Sequence, residues 1–136
     1  MYNPTLSHCA PQFAVKLHLT KLDGLNAFTA YGDGYVDING QRHTSNIVIQ
    51  PNKLLPDWTS ASFETLSEAD FTVLAGLGAE ILLLGTGKTL RFPPPALLQP
   101  LMTARTGLEV MDTQAACRTF NILVAEGRNV AAAILI

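Results

Sequence analysis

Charge is the scarcest property of this 136-residue chain, with Asp, Glu, Lys and Arg making up 15% of it, against about 25% in an average soluble domain. The 9 basic and 11 acidic residues leave a formal charge of −2. Such a balance offers no basic surface to a polyanion, so no nucleic-acid partner is expected. Cysteine is nearly absent: Cys9 and Cys117 lie far apart and cannot make a disulfide framework, which points to a reduced, cytoplasmic setting. Long apolar runs are missing as well. The longest stretches free of charge, Met1–Val15 and Phe92–Ala104, contain proline and fall short of the ~20 residues of a spanning helix, so no transmembrane segment is expected. The N-terminus shows neither a basic region ahead of an apolar run nor repeated arginine, so neither a secretory signal nor a mitochondrial presequence is expected.

What is present is apolar mass. Hydrophobic residues make up 48% of the chain, which excludes intrinsic disorder. At this length one domain is expected, burying roughly two-thirds of the surface of the unfolded chain. So few charges cover its surface thinly, which favours a protein partner and leaves a homo-oligomer open.

Residues 1–14 carry Pro4 and Pro11 without periodicity and read as an N-terminal arm, ahead of a single domain over 15–136. Val15, Leu17 and Leu19 alternate with polar residues as in a half-buried strand. Tyr35–Ile38, Asn39-Gly40 and Gln41–Thr44 read as a hairpin, because both central turn residues must tolerate positive φ. Ile47-Val48-Ile49 follows as an apolar strand closed by Pro51, completing an antiparallel first half. Ser67 and Asp70 form a capping box at the start of a helix, with Leu66 and Phe71 as its staple. Ile81–Leu84 is a buried strand, Pro93–Pro95 introduce a second helix running to about Arg105 and bent by Pro100, and Leu108–Met111 is another strand. Asp112 or Thr113 caps a third helix, with Ala116, Phe120, Leu123 and Val124 on one face; Gly127 stops it, and Val130–Ile136 is a last strand. The pattern predicts an α/β fold, a three-layer domain around a mixed, largely parallel β-sheet with an N-terminal antiparallel β-hairpin unit.

Few residues suggest chemistry. Gly85-Thr86-Gly87-Lys88-Thr89 ends like a phosphate-binding loop, but Leu82 stands where that loop needs glycine and three prolines delay the helix. Leu90 likewise breaks a dinucleotide fingerprint. The segment reads as a tight turn leaving a buried strand. If the strands on either side of Pro93–Pro95 are parallel, their carboxyl edge gathers Thr86, Lys88, Asp112 and Thr113, where the third helix begins and an anion would be favoured. The plainer roles are a helix cap for Asp112 and a solvated cation for Lys88. Asn121, inside the helix, either bonds a neighbouring loop such as the Gly85–Gly87 turn or is simply exposed, and Arg128 is placed to bond the last helical carbonyls. Cys117 beside Arg118 is either a structural half-buried thiol or a stabilised thiolate. His8, His18 and His43 sit in separate elements, so no metal site is expected, nor any cofactor or catalytic triad.

The runs Ile81–Gly87, Glu109–Thr113, Ala116–Leu123 and Glu126–Ala132, with the hairpin Tyr31–Gly40 and with Pro51 ahead of Trp58, resemble the Mth-type domain family of unknown function. The family includes mitochondrial complex I assembly factor three and an adipogenesis-associated protein. The resemblance implies a three-layered fold around a mixed sheet, no catalytic residues to carry over, and action by binding other proteins. The expected function is a non-enzymatic protein-binding domain similar to a respiratory complex I assembly factor. The alternative is a small-molecule or anion site, or an enzyme, at the carboxyl edge with Thr86, Lys88, Asp112, Thr113 and Asn121.

Overall fold

The computed structural model describes residues 14–16 and 24–136. Residues 1–13 of the expected N-terminal arm, Cys9 among them, and Leu17 and Leu19 of the first expected strand lie outside the described residues, whereas Ala14, expected in the arm, belongs to a strand. Among the described residues nine strands form two sheets. β1 (Ala14–Lys16), β2 (Phe28–Gly32), β3 (Tyr35–Ile38) and β4 (Gln41–His43) make an antiparallel sheet in chain order. The hairpin between β3 and β4 turns on Asn39 and Gly40, both at positive φ, 53° and 82°, the geometry that matches the twist of the flanking strands.

β5 (Ile47–Gln50), β6 (Lys53–Pro56), β7 (Ile81–Gly85), β8 (Gly107–Met111) and β9 (Val130–Ile134) make a mixed sheet in the order β6-β5-β9-β7-β8. β7 lies parallel to both β8 and β9, whereas β5 runs antiparallel to β9 and to β6. Ile47–Ile49 therefore does not complete the first antiparallel unit. Ile47 and Ile49 point into one core and Val48 into the other, so this strand is buried on both faces and belongs beside the equally apolar β9. Lys53–Pro56, which shows no alternation, becomes an edge strand through the Gln50–Lys53 turn.

Among the described residues three α-helices flank the mixed sheet. α1 (Glu68–Ala75) starts at Ser67, whose hydroxyl accepts from the Asp70 amide while the Asp70 carboxylate accepts from the Ser67 amide, the reciprocal box its sequence predicts. The second expected helix is broken: a 3-10 turn at Pro95–Leu98 precedes the short α2 (Gln99–Thr103), with Pro100 in its first turn, where a missing amide hydrogen does no harm. α3 (Thr113–Ala125) is capped by Asp112 and ends at Gly127, φ 77°. Arg128 does not bond the helical carbonyls through its side chain; its guanidinium pairs instead with Glu80 at 2.7 Å.

The core has two halves, one on each face of the mixed sheet. Leu82, Leu84, Ala131 and Ala133 pack with Trp58, Phe71, Leu74 and Leu101 under α1 and α2. Leu83, Ala132 and Ile134 pack with Phe120 and Val124 of α3 and with Phe28, Tyr31, Val36 and Ile38 of the antiparallel sheet. Phe28 meets Phe120 edge-on, ring centroids 5.5 Å apart, a contact worth about 0.5–1.5 kcal/mol beyond the area it buries. The result is three layers, with α3 and the small sheet sharing the third.

Candidate functional site

Because β7, β8 and β9 are parallel, their carboxyl ends meet at one edge of the sheet, formed by Gly85, Met111 and Ile134. Four of the five candidate residues lie there. Thr86 is 1% exposed and its hydroxyl is fully engaged: it donates to the Thr89 carbonyl at 2.7 Å and accepts from the Arg91 amide at 3.2 Å. Thr113 donates its hydroxyl to the Leu135 carbonyl at 2.8 Å and accepts from the Gly87 amide at 2.9 Å. Asp112 accepts from the Ala115 amide at 2.9 Å as the cap of α3. Lys88 reaches across to Asp33, in the turn between β2 and β3, at 2.8 Å, and both side chains are solvated.

These bonds explain the glycines. A Cβ on Gly85 would stand 3.0 Å from the Thr113 Cα and 3.1 Å from both the Thr113 hydroxyl and Ile134 Cδ1. Glycine at this point lets the end of β7 and the start of α3 touch. Gly87, at φ 92°, supplies the left-handed turn that aims its amide at Thr113.

Asn121 is not part of this edge. It is 4% exposed and faces β2, where its side-chain carbonyl accepts from the Phe28 amide and its side-chain NH₂ donates to the Phe28 carbonyl, each at 2.9 Å. The side-chain amide thus acts as a one-residue strand, satisfying both backbone groups of Phe28 where β2 is bulged and tying α3 to the small sheet. The Gly85–Gly87 turn, the partner suggested by sequence, finds its own bonds with Thr113, Met111 and Leu135.

Cys117 is fully buried in the core under α3, not half-buried. Burial pushes its thiol up to about 12 against a smaller opposing pull from Arg118. A thiol so disposed stays protonated near neutrality and is a packing group.

Two depressions flank the edge, both with Lys88 and Asp33 in their walls. The larger, of about 740 Å³, opens between the loop 44–46, the segment 57–63 and the turn after β7. Its walls carry Thr44, Ser45, Ser60 and Ser62 but no histidine or cysteine, and the lining amine, Lys88, pairs with a carboxylate rather than a hydroxyl. No nucleophile–base pair is assembled there.

The segment after the edge is exposed and firmly held. Thr86 grips the backbone of residues 89 and 91, and the Arg91 guanidinium lies 4.6 Å from the centre of the Phe63 ring and pairs with Glu64. Backbone hydrogen bonding first, and Arg91 second, hold the Glu64 carboxyl below the usual carboxylate range. Pro93 is buried and begins three consecutive prolines. Between these anchors Leu90 and Phe92 stand in solvent, 48% and 70% exposed. Neither is among the site residues that the sequence suggests, where Leu90 stands out only as breaking a dinucleotide fingerprint. Among the described residues no helix is long and apolar enough to cross a membrane.

Comparison with known proteins gives this architecture a family. The chain is 27% identical to the Drosophila melanogaster NADH dehydrogenase (ubiquinone) 1 alpha subcomplex assembly factor 3, over 97% of this chain and 78% of that protein. It is 34% identical to the Bos taurus protein of the same name, over 75% of this chain but only 55% of that one, so it spans little more than half the length of the bovine relative. A Bordetella parapertussis crystal structure is similar at 40% identity and a TM-score of 0.78, over 85% of this chain and 98% of that one. A Bordetella pertussis solution structure, described as an Mth938-like domain, is similar at 34% identity and a TM-score of 0.75, over 89% and 92%. The resemblance read from the sequence is borne out, as is the mixed-sheet α/β fold it implied. Residues 28–135 match the model of the family described as protein of unknown function (DUF498/DUF598), and the chain belongs to that family.

Proposed function

We propose that the chain is a non-enzymatic protein-binding domain, in the manner of the assembly-factor relatives, and that it helps a membrane respiratory complex assemble from the cytoplasmic compartment. The observation that carries this reading is the fixed loop Thr86–Pro94, which holds Leu90 and Phe92 in solvent. Scattered exposed apolar residues need no explanation. These two differ because a hydroxyl, a stacked guanidinium and three prolines immobilise the backbone around them. An aromatic anchor that is already ordered loses little entropy on docking. The edge residues Thr86, Asp112 and Thr113 serve this reading as scaffold, their polar groups being engaged within the chain.

The test is genetic and biochemical together. Cells lacking the protein should accumulate less assembled NADH dehydrogenase complex on native gels, and the wild-type chain should restore it. The double variant Leu90→Ser, Phe92→Ser should fold with unchanged melting behaviour, since surface changes stay within about 0.5 kcal/mol, yet fail to restore assembly. Normal complex levels in cells lacking the chain would defeat the reading.

A further inference from the structure

The two edges of the mixed sheet are unlike. At β8 an exposed carboxylate, Glu109, guards the edge, a common device against unwanted strand pairing. At β6 all four residues of Lys53-Leu54-Leu55-Pro56 are exposed, with Leu54 and Leu55 at 38% and 40%. The bond from the Asp57 amide to the Asn46 carbonyl sets the ladder phase with β5: residues 53, 55 and 57 face β5, and residues 54 and 56 face outward. Outward, then, point the amide and carbonyl of Leu54 and the carbonyl of Pro56, whose missing N–H sits where no bond to β5 is lost.

The charges that bracket this strand are opposite and idle. Lys53 begins it and Asp57, at φ 54°, follows its last residue, and neither has an ion-pair partner among the described residues. We propose that β6 pairs with β6 of a second copy of the chain, antiparallel and two-fold about Leu55. That register sets the Leu54 amide of each copy against the Pro56 carbonyl of the other, which uses the outward donor that remains. It places Leu55 opposite Leu55 in a non-hydrogen-bonded pair and Lys53 opposite Asp57 at both ends, the self-complementarity a two-fold interface requires. A register centred on Leu54 would set Lys53 against Leu55 and leave both charges idle. A four-residue strand buries less than the ~1,200 Å² of a tight complex, so the dimer is weak and depends on concentration.

Sedimentation velocity over a dilution series tests this. The wild type should move from monomer to dimer as concentration rises; Lys53→Glu and Asp57→Lys should each weaken the dimer tenfold or more, and the double swap should recover it. Leu55→Cys in a Cys9→Ser background should form a disulfide-linked dimer on mild oxidation, because such pairs place their Cα atoms about 4.5 Å apart, within disulfide range, whereas Leu54→Cys should not. A wild type that stays monomeric to millimolar concentration overturns the proposal and leaves the edge to a strand from another protein. A dimer indifferent to the single swaps, or not recovered by the double, overturns it too.

Discussion

Asn121 shows how much one side chain can carry. Its amide closes both backbone groups of Phe28 at 2.9 Å in a site from which water is excluded. Asn121→Leu keeps the branched outline of the side chain but leaves a buried donor and a buried acceptor unpaired, each costing about 1–3 kcal/mol. The variant should lose roughly 2–6 kcal/mol in urea unfolding, and a loss below half a kilocalorie would show that the pair contributes nothing. Cys117 makes a prediction about pH. Its thiol is raised to about 12 in the fold, while the unfolded thiol ionises near 8.5–9. Below that range both states hold the proton and stability is unaffected. Above it the unfolded chain loses its proton first, so the thiol's contribution drains away from about pH 9 to 12. Wild type should therefore lose stability faster than Cys117→Ala between pH 8.5 and 10.5; parallel curves would contradict the buried, neutral thiol. Neither role was written locally. The sequence shows an asparagine in a helix, unfavourable there unless it finds a partner, but that partner stands 93 positions away and no spacing rule reaches it.

Elements were more legible than residues, because caps and turns are local chemistry. Ser67 with Asp70, Asp112 before α3, Asn39-Gly40 and Gly127 all do what their types and positions predict. The parallel run of β7 beside β8 follows from a strand–helix–strand pattern with apolar strands. What local chemistry leaves open is which strands pair. Ile47–Ile49 sits next to the hairpin in sequence, yet its apolar character on both faces matches a strand covered on both sides, and it joins β9 instead. The Gly-Thr-Gly turn resembled a ligand loop for a related reason. Small residues admit close approach of any group, and at Gly85 the group admitted is the start of α3. Gly85→Ala tests that account. The added methyl meets backbone at 3.0 Å, which cannot swing aside, and overpacking of this kind costs about 1–3 kcal/mol. Calorimetry should show a clear fall in the melting temperature; an unchanged one would mean that β7 and α3 have room to part.

On the scale of the whole molecule, the low charge read from composition reappears as exposed apolar side chains, some scattered singly, such as Val73, Met102 and Ile122, and others adjoining, as on the loop at Leu90 and Phe92 and the edge strand at Leu54 and Leu55. Composition could say that such surface exists; only the topology locates it. The same topology raises the question of whether two sheets make one folding unit. α3 touches both, with Phe120 packed on Phe28, Asn121 bonded to β2, and Val124 in the core that Leu83 and Ile134 share with Val36 and Ile38. If that layer couples the sheets, opening the small one exposes half the core and amounts to global unfolding. Native-state hydrogen exchange should then give the amides of β2 and β3 the same opening free energy as those of β7 and β9, with the Phe28 amide among the slowest. In Asn121→Leu the two sets should separate, β2 and β3 exchanging first through a partial opening that leaves the mixed sheet and α1 closed. If β2 and β3 already exchange hundreds of times faster than β9 in the wild type, α3 does not couple the sheets, and the small sheet is an appendage on an α/β core that stands without it.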